Sequence, residues 1–333
     1  MITLQSVQAA RARISPYVVR TPTVVQGRLT ELLGRPVVAK LELLQHAGSF
    51  KARGAFNRML DLSDDERGAG VVAVSGGNHG LAVAFAAREL GVSAKVIMPA
   101  STPAGSIAGA RADGAEVVLT ATIAEAFAAA AREATLGRLL VHPFDDPVVI
   151  AGQGTLALEL LEDAADLTDV IASIGGGGMI SGVLAAVKGL RPDIRVWGVE
   201  TVGADAMTRA IDAGRPVQLD AITSIAKTLG APAVSQRTLD MVRTGVEGVV
   251  VVTDPDAVRA IEVLADRAKI IAEPAAACTW SAALRLRDRL PPQARVALII
   301  CGGNVSLDDI EGWRRQLPGD SRQDAREARV VDS

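Results

Sequence analysis

The sequence is poor in the residues that mark several functional classes. Its 333 residues include two cysteines, Cys278 and Cys301, too few for a disulfide framework. Three histidines occur, His46, His79 and His142, and none stands at metal-ligand spacing from another. A histidine-rich zinc site is therefore not expected, nor is any other metal. Aromatic residues make up 3% of the chain, so platforms for stacking single-stranded nucleic acid are missing. A net charge of −3 leaves no basic footprint for nucleic acid either. No apolar run approaches the ~20 residues needed to cross a bilayer. The opening MITLQSVQAARARIS lacks the apolar centre of a secretory signal. Together these absences predict a cytoplasmic protein with neither nucleic-acid nor membrane partners. Lysine is scarce too, only six of the 35 basic residues, so a lysine in a special setting stands out.

What is present is a large apolar fraction, 49%, with 22% charged residues, as in a globular chain with a sizeable core. At roughly 100–200 residues per domain, the length implies about two domains. Short β-branched runs recur at Val37–Leu41, Val71–Ser75, Lys95–Met98, Glu116–Leu119, Leu139–Val141, Asp169–Ile174, Ile194–Val199, Val249–Val252 and Val296–Ile300. Most are nearly continuous in apolar character, which suits strands covered on both faces of a parallel sheet. Helical stretches fall between them at Leu81–Leu90, Ile123–Thr135, Thr155–Asp163, Ile180–Leu190, Asp256–Asp266, Ala275–Leu290 and Leu307–Gln316. Gly91 and Gly137 sit where a helix-ending glycine is expected. Strands alternating with helices predict an α/β fold with right-handed crossovers. No low-complexity linker divides the chain, so the two domains are expected to interleave. Residues 319–333 are polar and mixed in charge and read as a solvated tail.

Four segments after predicted strands or at helix starts carry chemistry. Gly175-Gly176-Gly177-Gly178 follows a strand and opens a helix, leaving unobstructed backbone N–H groups at a positive dipole end. A tight turn without ligand is the plainer explanation, but four glycines cost backbone entropy with no packing return. A dinucleotide fingerprint is half matched: the third glycine falls on Ile180 or Ser181, while Glu200 could serve as the later acid. A Walker A loop fails, since no Gly-Lys-Ser/Thr follows. Ser49-Phe50-Lys51 looks like a loop feeding a helix. Its lysine is either a surface residue or, with a depressed pKa, a nucleophile toward carbonyls. Ser75-Gly76-Gly77-Asn78-His79-Gly80 follows Val71–Val74 and offers a second cup of backbone donors, fit for a carboxylate. Cys301-Gly302-Gly303-Asn304 follows Val296–Ile300, and its cysteine is either a small core residue or a group facing the crevice where α/β sheets bind ligands. A phosphate cup, a lysine, a carboxylate cup and a polar group for a ring nitrogen are the parts that pyridoxal phosphate requires.

With these motifs the chain resembles the fold-type II pyridoxal-phosphate enzymes, on the serine/threonine dehydratase (threonine ammonia-lyase) branch without a regulatory domain. SFKARGA, SGGNHG, GQGT, GGGGM and CGGN occur in that family's order, from about Val7 to Trp313. The resemblance implies a tryptophan synthase β-like fold, with two interleaved three-layer α/β/α domains and mostly parallel sheets. The large domain would hold residues 1–68 and 147–318, and a small mobile domain residues 69–146. Lys51 would join pyridoxal 5'-phosphate as an imine, with Phe50 packed on one ring face. Asn78 would bond the ring hydroxyl, Gly175, Gly176, Gly177, Gly178 and Met179 would hold the phosphate, and Glu273 would lie near the ring. Cys301 stands for the family's usual serine at the pyridine nitrogen. Ser75, Asn78, His79 and the intervening backbone would take the substrate carboxylate. The implied reaction is loss of water from a 3-hydroxy amino acid of the L-threonine or L-serine type, giving a 2-oxo acid and ammonia. A homodimer or homotetramer is also implied.

Departures from the family pattern sharpen the expectation. Racemases of this family carry a second acid/base serine at the position matching Gly76, so efficient racemisation is not expected, and Gly76→Ser should raise it. Cysteine synthases typically have Thr where His79 stands, which favours elimination over replacement. The family's cation site needs a carboxylate six residues after Glu200, which here is Ala206 with Asp205 beside it. Because the chain ends at Ser333, feedback through an appended regulatory domain is not expected. Lys227 reads as a surface lysine more readily than as a substrate contact. Serine racemase and hydroxyaspartate ammonia-lyase are the rivals on the same scaffold. A nicotinamide-dependent dehydrogenase leaves Lys51 unexplained, and a non-catalytic cofactor binder would release no 2-oxo acid.

Overall fold

The computed structural model describes residues 2–316 and 329–332. Eleven strands occur among them: β1 (Thr23–Val25), β2 (Val37–Leu41), β3 (Val71–Val74), β4 (Ala94–Pro99), β5 (Glu116–Thr120), β6 (Leu139–Leu140), β7 (Asp169–Ser173), β8 (Arg195–Thr201), β9 (Gly248–Val252), β10 (Val296–Ile300) and β11 (Arg329–Val331). Seven form one sheet in the order β1-β2-β10-β7-β8-β9-β11, and four form a second in the order β5-β4-β3-β6. The second sheet is wholly parallel. In the first, only the edge strands β1 and β11 run antiparallel to their neighbours. Every residue of β2, β7, β9 and β10 is buried, because helices cover both faces of such strands. This is the α/β fold with mostly parallel sheets expected from the apolar runs.

Element ends follow local chemistry. The helix Asn78–Leu90 stops at Gly91, whose φ of 64° is left-handed, and the predicted helix Ile123–Thr135 forms between those residues with Thr122 as its cap. The GQGT motif lies inside a longer helix than expected, Pro147–Asp163, started by Asp146 and a proline in its first turn. The expected helix Ala275–Leu290 ends earlier, at Arg285. The tail expectation needs correction at its end. Residues 329–331 pair with β9, with Val330 and Val331 opposite Val250 and Val249, while residues 317–328 lie outside the described residues. Helices at Leu4–Ile14, Gly27–Leu33, Ala104–Ala112, Ala206–Ala213 and Gln236–Gly245 add to those expected from the sequence.

The two sheets have separate cores, and one helix is tied to both units, to one by apolar packing and to the other by ion pairs. The core of the four-stranded sheet takes Val71, Ala73, Val96 and Met98, and also Ala52, Ala55, Phe56 and Met59 from the helix Lys51–Leu60. That helix lies outside residues 69–146, which contain all four strands. Its other side carries Arg53, fully buried, whose guanidinium contacts two carboxylates. Nε and Nη2 donate to the Glu42 oxygens at 2.8 Å, and Nη1 and Nη2 donate to the Glu159 oxygens at 2.7 and 2.8 Å. Lys40 Nζ on β2 completes the group by donating to Glu159 at 2.6 Å and to the Thr21 carbonyl at 2.7 Å. Two cations and two anions thus cancel inside the protein, each with hydrogen bonds to replace lost water.

Removing one member should expose the cost of that balance. Arg53→Met leaves the Glu42 carboxylate buried without its cation, a change worth about 3–5 kcal/mol. A lowered urea midpoint is expected, partly regained in Arg53→Met/Glu42→Gln, which removes the stranded charge. Equal stability of Arg53→Met and the parent would contradict this account.

Candidate active site

The site is assembled by two loops that pair like strands. β10 ends at Ile300 and runs into Cys301–Asn304, against which residues 48–50 lie antiparallel. Phe50 N–H donates to the Cys301 carbonyl at 3.0 Å, and Gly303 N–H donates to the Gly48 carbonyl at 3.0 Å. The turn into this pairing is left-handed at both Ala47 (φ 56°) and Gly48 (φ 69°). A Cβ at Gly48 would also collide with the Asn304 side-chain amide. The pairing delivers Lys51, at the start of its helix, beside Cys301 at the end of β10.

Lys51 is half-buried, and its Nζ donates to the Pro143 carbonyl at 2.7 Å. The ammonium also sits 5.1 Å from the centroid of the Phe50 ring. Burial lowers its pKa from 10.5 to about 8, against the opposing pull of Cys301 and Glu273. Cys301 is buried, and the same desolvation pushes its thiol well above the ordinary value, with Glu273 adding to the rise. The thiol is therefore a neutral S–H at physiological pH.

Glu273 precedes the helix Pro274–Arg285, but its carboxylate turns away from the helix end. Its Oε1 accepts from Asn78 Nδ2 at 2.8 Å and from Thr228 Oγ1 at 2.9 Å, while the buried Oε2 has no partner within hydrogen-bond distance among the described residues, although the Asn304 backbone lies close enough to favour the charged form. Desolvation raises its pKa to about 7. Asn304 Nδ2 donates to Asn78 Oδ1 at 2.7 Å and to the Ala47 carbonyl at 2.8 Å. Asn78 is thus clamped between the loop after β10 and the start of the helix Pro274–Arg285. His79 lies one residue on and points elsewhere: its Nε2 contacts the Val141 carbonyl at 2.8 Å. Because a carbonyl only accepts, Nε2 carries the proton and the buried Nδ1 is a bare acceptor. Burial, helped by Lys51, lowers the His79 pKa to about 3, so the ring is neutral. Ser75 Oγ accepts from the Gly77 N–H at 3.1 Å.

The glycine turn begins where β7 ends. Gly177 has φ 89° and precedes the helix Gly178–Leu190. A Cβ at Gly176 would overlap the Phe144 ring, and one at Gly177 would come within 2.7 Å of Thr238 and 2.8 Å of Met207. No other residue fits these positions, and the amides of the helix start remain bare. Met179, the next helix residue, is buried.

Every residue singled out in the four motifs therefore lies at the carboxyl end of a sheet or on the two paired loops. Residues not singled out are Pro143, Phe144 and Thr228. Pro143 and Phe144 carry a signal of the same kind, since they follow β6 within three or four residues. Lys227 is exposed and donates to the Ile222 carbonyl at 3.2 Å, as a surface lysine does. Glu200 is buried and spends both oxygens on the start of the helix Ala206–Ala213. It accepts from Met207 N and Thr208 N at 2.9 and 2.8 Å and from Thr208 Oγ1 at 2.6 Å. Burial raises its pKa to about 8. Glu200 thus caps the start of that helix.

Known proteins give this geometry a family. The model of the family described as "Pyridoxal-phosphate dependent enzyme" matches residues 14–302. The chain is 42% identical over 304 residues to a phenylserine dehydratase of Ralstonia pickettii, covering 91% of this chain and 93% of that protein. It is 38% identical over 313 residues to an L-threonine ammonia-lyase of Thermotoga maritima, covering 93% and 78%. Among solved structures, maize serine racemase superposes with a TM-score of 0.89 at 34% identity, covering 94% of this chain and 97% of that one. The chain belongs to the fold-type II pyridoxal-phosphate dependent enzymes, and pyridoxal phosphate is its cofactor. The residues fit that group: a glycine cradle that admits no Cβ, a primary amine with a lowered pKa, a neutral thiol and a buried carboxyl oxygen at Glu273 with no hydrogen-bond partner among the described residues.

The Lys51 amine should be chemically distinct. Acetylation of the cofactor-free protein, mapped by peptide, should label Lys51 with a rate that rises through pH 8, because only the unprotonated amine reacts. An unperturbed lysine would respond near pH ~10.4. A Lys51 profile centred there would contradict the burial argument.

Proposed function

We propose that this chain removes water from a 3-hydroxy amino acid and releases a 2-oxo acid and ammonia, with Lys51 as the central catalytic residue. The observation that carries the reading is the pairing of residues 48–50 with 301–303, which holds the amine of Lys51 and the thiol of Cys301 in one buried setting. Pyridoxal phosphate, when bound, supplies the electron sink for the charge left at the α-carbon.

The rest of the work falls to side chains and amides. Lys51, with a pKa of about 8, keeps a neutral fraction near pH 7 and can take a proton from the α-carbon and return one later. Gly175 through Met179 hold the phosphate through unobstructed N–H groups at a helix start. Phe50 offers an apolar face, and Asn78, fixed by Glu273 and Asn304, presents its amide at a set angle. Cys301 stays a neutral S–H and would offer the bound group an uncharged partner rather than an anion. Ser75, Asn78, His79 and their backbone receive the substrate carboxylate, with the His79 side chain tied to Val141 and acting as a spacer. Residues 69–146 form a mobile unit that closes over the substrate, against a large unit of residues 1–68 and 147–318. The protein works in the cytoplasm as a homodimer or homotetramer.

Several features support elimination over the rivals on the same scaffold. Two of the relatives are named an ammonia-lyase and a dehydratase. The racemase likeness is offset by Gly76, which has no side chain to donate a proton. The phenylserine dehydratase likeness adds aryl-bearing 3-hydroxy amino acids to the substrates to be tried.

The test is a panel of L-threonine, L-serine, 3-hydroxyaspartate and phenylserine assayed for 2-oxo acid, with chiral analysis of residual serine. Release from at least one member, absent in Lys51→Ala with the fold unchanged by circular dichroism, is expected. Borohydride reduction and peptide mapping should leave a pyridoxyl group on Lys51. Full turnover by Lys51→Ala would overturn the mechanism, and racemised serine without 2-oxo acid would overturn the reaction assigned.

A further inference from the structure

Position 76 has no side chain, yet the space a side chain would fill is occupied. β3 and β4 pair in parallel, with Val74 opposite Ile97, so the loops that follow them lie side by side. The loop after β4 turns at Pro99, whose carbonyl accepts from Thr102 N–H at 2.9 Å. This turn leans Thr102 across Gly76. A Cβ built on Gly76 would lie within the radius of Thr102 Oγ1 and 3.2 Å from Thr102 Cβ. The Thr102 hydroxyl, half-buried, makes no hydrogen bond among the described residues. The neighbouring hydroxyl of Ser75 is already engaged by Gly77 N–H.

We infer that Thr102 is a substrate-binding residue, supplying a hydroxyl donor for the α-carboxylate of the amino acid from the loop after β4. The inference rests on the reading that residues 75–79 receive that carboxylate. The two loops themselves carry no cation: Ser75–Gly80 and Ala100–Pro103 contain no lysine or arginine, and the His79 ring is neutral. Within these two loops every donor to the carboxylate is neutral, so one more hydroxyl weighs heavily. A hydrogen bond to a charged group contributes more than a neutral one. A larger residue at position 76 would displace this hydroxyl. In Gly76→Ser the new Cβ meets the Thr102 hydroxyl first, so that substitution moves one hydroxyl as it adds another, and Gly76→Ser/Thr102→Ala adds the serine alone.

The test uses the holoenzyme and L-alanine, which has the α-carboxylate but no β-leaving group, titrated by calorimetry. Thr102→Val keeps the branched shape and removes the hydroxyl, and should weaken L-alanine roughly tenfold or more. Thr102→Ser keeps the hydroxyl and should bind within about twofold of the parent. The KM for the best hydroxy amino acid should rise with the same factor in Thr102→Val while kcat changes little, as for lost uniform binding. Cofactor content should be equal in all three proteins, which reports an intact fold. L-alanine binding equal in Thr102→Val and the parent would overturn the inference alone. A parent that holds pyridoxal phosphate but binds no amino acid would overturn the functional reading and this inference with it.

Discussion

The guanidinium of Arg53 is the constraint on which the site depends. A charge at that depth is tolerated only because Glu42 and Glu159 each give it two oxygens, with Lys40 restoring neutrality. Those partners come from the turn after β2, the helix Pro147–Asp163 and β2 itself, so the helix Lys51–Leu60 is fixed against the seven-stranded unit in one register. The same helix gives Ala52, Ala55, Phe56 and Met59 to the core of the four-stranded unit. One helix is therefore polar-anchored to one body and oil-anchored to the other. Lys51, two residues before Arg53, sits at its first turn, where both bodies meet.

Desolvation then decides the protonation of every group around that amine. It lowers Lys51 to about 8, raises Glu273 to about 7 and holds the Cys301 thiol neutral. Lysine and carboxyl are thus brought within about a unit of each other, although they differ by six units in water. Neither is locked in a salt bridge, since Lys51 donates to a carbonyl and Glu273 accepts from two neutral donors. A site with weakly committed protons can accept or give one at small cost near neutral pH. The Arg53 cluster, also buried, is the opposite case: its charges are fully paired and fixed. Burial alone does not make a reactive group; burial without an ionic partner does.

Much of this was legible in the sequence because it is local. Apolar runs of four to six residues mark buried parallel strands, and the glycine-rich motifs mark the turns that follow them. Lys51, Asn78, Gly175–Gly178 and Cys301 stood out because each belongs to such a turn. The edge strands were less visible: β1 has three residues, and β11 is a short valine pair in a polar tail. The Arg53 cluster was not legible at all. Its members are separated by as many as 119 residues, and each looks like an ordinary surface charge until the fold removes its water. His79 was legible as a residue but not as an orientation, because the Val141 carbonyl that captures it lies 62 residues away.

Gly76 shows the same limit from the other side. Read along the chain, a glycine in place of a serine is a lost hydroxyl. Read across the sheet, it is a vacancy that a neighbour on the next strand's loop fills. The two descriptions differ because parallel pairing of β3 and β4 makes residues 26 positions apart share one volume. In such a sheet the loops at adjacent carboxyl ends form a single surface, and the chemistry at any point belongs to the pair. A substitution at one position can therefore leave the donor set intact when the adjoining loop supplies the atom. Function on this scaffold is better compared loop pair by loop pair than motif by motif.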